Sequence, residues 1–180
     1  MKTKTTEYFP LVDEEGHLIG KATRTECHSG TFLLHPVVHL HVFNSEGNLY
    51  LQKRAIDKDI QPGKWDTSVG GHVDYGETIE AALRREVGEE LGITDFEPVF
   101  ITRYKFVSAQ EAELVHCFYT VYNGAIVPDP VEIMDGKFWS RDEIVERLDQ
   151  HIFTPNFENE YRSMIEKIHS EMIIKSNGDV

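Results

Sequence analysis

Apolar and polar residues alternate with a two-residue period along several short runs, which therefore read as strands. Residues 7–13 and 17–24 flank Asp13-Glu14-Glu15-Gly16, a run with turn chemistry, and predict a first hairpin. Residues 36–43 (PVVHLHVF) and 49–54 (LYLQKR) predict a second pair around Asn44-Ser45-Glu46-Gly47-Asn48. Residues 99–107 and 113–122 are rich in Val, Phe, Tyr and Thr and predict two longer strands; 136–139 predicts a short one. Residues 55–66, with Pro62-Gly63 inside, read as loop.

The period becomes helical in three places. Between Thr78 and Leu91, Ile79, Leu83, Val87 and Leu91 fall four apart, a ladder that marks a core-facing side. Gly92 suits a left-handed C-cap there, and Ile93 can pack back on the last turn. Ser140 with Glu143 is a capping box opening a helix through about Leu148. Thr154-Pro155, an N-cap followed by proline at the first helical position, opens a helix to about Lys175, with Ser176 to Val180 expected to be a frayed tail. Mixed strands and helices without repeats or linkers predict an α+β fold in a single domain, residues 1–180.

Composition narrows the functional classes. With 40% hydrophobic and 27% charged residues the chain is expected to fold around a core. No apolar run is long enough to cross a bilayer and the N-terminus lacks a signal-like apolar core, so no membrane role and a cytoplasmic location are expected. The net charge is −13, with no basic cluster beyond pairs such as Lys53-Arg54 and Arg84-Arg85, which argues against nucleic acid as a partner. Cys27 and Cys117 form no disulfide framework and read as free thiols. A homodimer is compatible with the sequence.

The acidity is partly concentrated. At about 100° per residue, Glu86, Glu89 and Glu90 share one arc of the first helix, beside the apolar ladder. A solvated acidic face is the ordinary explanation of such an arc. Here, however, Glu86 and Glu90 repel at i, i+4, and all three sit in the last turns, where the helix dipole favours cations. A divalent cation reverses the sign of each of these interactions, and carboxylates with water and phosphate oxygens suit Mg²⁺. Arg85 can pair with Glu89 or with Glu77 and orient a carboxylate.

Gly71, five residues, Glu77, seven residues, then Arg85-Glu86-Val87-Gly88-Glu89-Glu90-Leu91-Gly92-Ile93 resembles the Nudix box at every fixed position, over residues 71–93. The resemblance implies an α/β/α sandwich with a mixed β-sheet. It also implies a divalent-metal-dependent hydrolase that cleaves a diphosphate linkage in a small molecule, a nucleoside diphosphate or its derivative. By the same resemblance, Glu86, Glu89 and Glu90 hold the cations with a backbone carbonyl of the glycine loop at Gly71. Glu77 and Arg85 support the loop–helix geometry, and one box glutamate or a carboxylate from another loop acts as general base.

A second resemblance covers most of the chain. Val12-Asp13 with Ile19-Gly20, Cys27-His28, Leu34-His35, Pro62-Gly63-Lys64-Trp65 and Ser68-Val69-Gly70-Gly71-His72 are similar to type I isopentenyl-diphosphate isomerase, of the same superfamily. It implies a second metal site at His28, His35, His72, Glu111 and Glu113, whose nitrogen and oxygen donors suit Zn²⁺, Mn²⁺ or Mg²⁺. Any one of these histidines alone reads equally as a hydrogen-bonded structural residue. The chain departs from the isomerases at Gly70, where they carry a catalytic cysteine, and in keeping the acidic box complete. It thus resembles the isomerase-like branch of the Nudix hydrolases. Isomerisation of an isoprenoid diphosphate and non-catalytic nucleotide sensing are the alternatives.

Overall fold

The computed structural model describes residues 6–58 and 60–178, with side chains through 173. An antiparallel hairpin, β1 (Tyr8–Val12) and β2 (Leu18–Thr23), comes first, with Phe9 opposite Ala22. A single turn of helix, α1 (Arg24–Cys27), follows directly. Thr23 and Glu26 cap it reciprocally, each side chain accepting from the other's backbone N–H.

The remaining strands are β3 (Leu34–Phe43), β4 (Leu49–Arg54), β5 (Trp65–Asp66), β6 (Val69–His72), β7 (Val99–Val107), β8 (Ala112–Val121) and β9 (Ile133–Trp139). They form a seven-stranded sheet in the order β5-β4-β3-β8-β7, with β6 also on β3 and β9 also on β4. The helices are α2 (Ile79–Leu91), α3 (Arg141–Arg147), α4 (Pro155–Glu160) and α5 (Glu166–Gly178). A π-helical turn, Tyr161–Ile165, joins α4 to α5. The architecture is α+β, and no helix among the described residues is long and apolar enough to cross a membrane.

Two compact units divide the described chain. The first comprises the residues up to His39, Gly70–Glu86 and Phe100–Phe118. Its hairpin is lined by Phe9, Ala22 and Cys27, with Leu11 and Leu33 packed against them. The second comprises Leu40–Val69, Val87–Val99 and the residues from Tyr119 onward. Its rings pack in series from Trp65 to Trp139, Phe153, Phe157 and Tyr161, with centroids 5.0, 5.5, 5.1 and 5.6 Å apart. Within it β4 pairs with β9 from Leu49↔Trp139 to Arg54↔Ile133.

Several sequence expectations need correction. The glycine run reads as loop, yet Val69–His72 is a strand: pairing with β3 satisfies a backbone that its glycines alone would not bias to extension. The loop expected over 55–66 ends in strand, since Trp65 and Asp66 pair with Lys53 and Gln52. α1 is absent from the sequence expectations, because one turn is too short to show a helical period. The last helix is interrupted by the π turn and then continues to Gly178, past the expected start of the tail; residues 179–180 lie outside the described residues. Both N-caps, Ser140 and Thr154, are as expected. Cys27 and Cys117 are buried and form no disulfide.

Candidate active site

α2 is entered through a turn that Glu77 stitches together: its backbone N–H donates to Asp74 O and its Oε2 accepts from Asp74 N. From further along the helix, Arg85 reaches back to it. Nε donates to Glu77 Oε1 at 3.0 Å and Nη2 to Glu77 Oε2 at 2.9 Å, a two-pronged pairing that suits a planar guanidinium. Nη2 also donates to the His72 carbonyl at 2.9 Å, and Nη1 to Glu86 Oε1 at 2.7 Å. Glu77, one of the partners the sequence offers Arg85, is thus held by it, and Glu86 is held as well. The Arg85 hydrogen bonds hold the Glu77 carboxyl below its usual range, and Glu77 first and Glu86 second push the guanidinium up.

Glu86 packs against the Gly71 backbone so closely that a methyl group on Gly71 would overlap its carboxyl carbon. Only glycine leaves that space, so the cradle brings the glycine strand and the first box carboxylate together. Glu89 is exposed on the same helix. Glu90 is buried, and its Oε2 accepts from Gln52 Nε2 at 2.8 Å. Gln52, on β4, is itself buried and also donates to Ser68 O at 3.3 Å. α2 ends as expected, with Gly92 at a φ of 67° and its N–H on Gly88 O.

The histidine set assembles in the first unit. His28 caps the end of α1, His35 is the second residue of β3, His72 ends β6, and Glu111 closes the turn before β8. One ligand atom from each of these four lies within 4.8 Å of the others. His28 Nε2 is 3.0 Å from His72 Nε2 and 3.1 Å from Glu111 Oε2. Glu113, in β8, lies outside this set. His35 Nδ1 sits 2.9 Å from Leu33 O, to which it can only donate, so Nε2 carries the free lone pair. That Nε2 is buried and has no hydrogen-bond partner among the described residues.

Desolvation holds His35 below its ordinary range, and desolvation with Arg24 and His35 holds His72 well below it. Neutral imidazoles facing a carboxylate are the donor set that a divalent ion of the Zn²⁺ or Mn²⁺ kind requires, and the orphaned His35 nitrogen is the atom such an ion would satisfy. The residues present therefore fit a bound cation.

Two residues that contact the site are not evident from the sequence, Phe9 beneath the imidazoles and Gln52 on Glu90. The only local signal for Gln52 is a polar residue inside an apolar strand, LYLQKR.

Residues 33–160 match the NUDIX domain, and the chain belongs to the Nudix superfamily. More particularly, it is 34% identical over 140 residues to the isopentenyl-diphosphate Delta-isomerase of Mycolicibacterium vanbaalenii, covering 74% of this chain and 77% of that protein. It is 33% identical to the Streptomyces coelicolor protein of the same name, covering 82% and 78%. The fold matches the crystal structure of DR0079 from Deinococcus radiodurans with a TM-score of 0.75 at 23% identity, over 87% of this chain and 98% of that one. It also matches the NUDIX domain of Shewanella oneidensis NrtR complexed with ADP ribose, with a TM-score of 0.60 at 16% identity, over 74% and 87%. Nudix proteins generally use divalent metal ions, in keeping with the ligand groups found here.

Proposed function

We propose that this protein hydrolyses a diphosphate linkage in a small molecule, a nucleoside diphosphate or a nucleoside diphosphate joined to another group. The observation that carries the reading is the complete acidic box on α2, with Glu86 set by Arg85 and Glu90 by Gln52, combined with glycine at position 70. Divalent ions bound there supply charge neutralisation at the diphosphate oxygens and a water of lowered pKa. Glu86, Glu90 and the Gly71 backbone are the residues that would hold them. Glu89, the exposed member, takes the proton as water oxygen bonds to phosphorus and the bridging P–O bond breaks, releasing two phosphorylated products or one and phosphate. The Arg85–Glu77 clamp keeps the loop and helix in register through this step. That the same fold in NrtR accommodates ADP ribose supports a nucleoside-linked substrate.

A second reading, isomerisation of an isoprenoid diphosphate, is favoured by the four-membered histidine–glutamate set and by the names of the sequence relatives. It requires groups that add a proton to one carbon and remove one from another. Gly70 offers no side chain for either step. The test is a panel of nucleoside diphosphates, their sugar and coenzyme conjugates and isopentenyl diphosphate, incubated with Mg²⁺ or Mn²⁺ and read by mass spectrometry. Cleavage products that vanish in Glu89→Gln or Glu90→Gln support hydrolysis. An intact diphosphate with a shifted double bond supports isomerisation, and an inert panel overturns both.

A further inference from the structure

One aromatic ring lies against the histidine set. Phe9, on β1, is almost fully buried and stacks on His72 with centroids 4.4 Å apart and planes 5° apart. The same ring stacks on His35 at 5.5 Å and 18°, and meets His28 tilted at 6.1 Å and 43°. His35 and His72 are in turn stacked at 5.4 Å and 13°. Three imidazoles that come from α1, β3 and β6 thus share one neighbour, supplied by an N-terminal hairpin that contributes no ligand itself.

We infer that Phe9 is a positioning residue for this histidine set: its plane fixes the imidazole orientations so that the nitrogen donors converge on one cation. This rests on the reading that the set binds a divalent ion. An imidazole on a bare Cβ turns about χ2 with little preference, so its nitrogen sweeps through a wide arc. His35 is fixed by its Nδ1 contact with Leu33 O, the hydrogen bond to a neighbouring carbonyl by which ligand histidines are commonly oriented. His72, whose Nε2 lies 3.0 Å from His28 Nε2, has the Phe9 face along its plane where His35 has a carbonyl. Offset or parallel contact with a ring at this separation is attractive, and it also excludes water from the back of the imidazole. Phe9 is itself held in place. Ala22, opposite it in the hairpin, and Cys27 complete its buried surroundings, and the Arg24 guanidinium lies 5.9 Å from its centroid.

The test uses the metal-free full chain titrated with Co²⁺, whose visible absorption reports both affinity and ligand geometry. Phe9→Leu keeps an apolar side chain but removes the plane; it is expected to weaken Co²⁺ binding by about 10-fold or more and to alter the absorption bands. Phe9→Tyr keeps the plane and is expected to bind as the wild type does. Wild-type affinity in Phe9→Leu, or an equal loss in Phe9→Tyr, overturns the inference while leaving the metal reading in place. Absence of saturable Co²⁺ uptake by the wild type removes the metal reading and this inference with it. Should Phe9→Leu not fold, proton NMR of the wild type decides. Stacking places the His72 ring protons upfield of ordinary histidine positions, and ordinary positions contradict it.

Discussion

Arg85 grips both oxygens of Glu77 across eight residues, at 3.0 and 2.9 Å, and with the same guanidinium holds Glu86 and the His72 carbonyl. One side chain therefore links the helix entrance, the first box carboxylate and the end of β6. Lysine in its place keeps the charge and loses the fork. Arg85→Lys is expected to lower kcat by about 100-fold, the order of loss that a misplacement near 1 Å produces, with KM less affected. Steady-state kinetics with the substrate found in the panel check this; an unchanged kcat rejects the clamp.

The space beside Gly71 makes a sharper demand. A methyl group there would overlap the Glu86 carboxyl, so Gly71→Ala must displace either the carboxylate or the strand. Because the overlapping atoms belong to the flexible Glu86 side chain, the expected outcome is a displaced carboxylate, with turnover falling by about 100-fold and little change in stability. Urea melts and turnover measured on the same preparation would show it.

Gln52 is expected to act through Glu90. Gln52→Leu removes the 2.8 Å donor while keeping a buried side chain of similar size. Turnover is expected to fall by about 10-fold or more, because the hydrogen bond it removes orients a ligand carboxylate. The apparent affinity for Mg²⁺ should weaken in parallel. A variant with normal Mg²⁺ dependence would confine Gln52 to packing.

The second unit carries its own pH signature. His169 is buried, meets Phe43 edge-on at 5.4 Å and lies 3.0 Å from the Tyr161 hydroxyl. Burial pushes its pKa down from 6.5 to about 4. Between those values the unfolded chain binds a proton that the folded chain refuses, so stability rises with pH there. The contribution is fully present above about 6.5 and lost as pH falls to about 4. At about 1.4 kcal/mol per unit it amounts to about 3 kcal/mol. Denaturant melts of wild type and His169→Gln across that window check it: the wild-type slope should be the steeper.

How much of this is legible in the sequence depends on how far apart the partners lie. Residues 49–54 and 99–107 are legible to the residue, since alternation and flanking turns are local. α2, its C-cap at Gly92 and the box carboxylates are equally local, one helix with fixed spacing. β6 is not, because two glycines give no pattern and its partner β3 lies far earlier in the chain. α1 leaves a trace in Thr23-x-x-Glu26, the capping-box spacing, though one turn shows no period. The histidine set is legible only through a resemblance, and the structure gathers four of its five members. Phe9 and Gln52 give no comparable sign, since ring stacking on His72 and hydrogen bonding to Glu90 are made only by tertiary structure.

The most direct measurement is phosphorus NMR of the protein with Mn²⁺-free Mg²⁺, mixed with a nucleoside diphosphate sugar and, separately, with isopentenyl diphosphate. Collapse of the paired diphosphate signals into monophosphate signals in the first tube, with the second unchanged, is the result this account expects. Persistence of both pairs, accompanied by new olefinic signals in proton spectra recorded on the second tube, would contradict it.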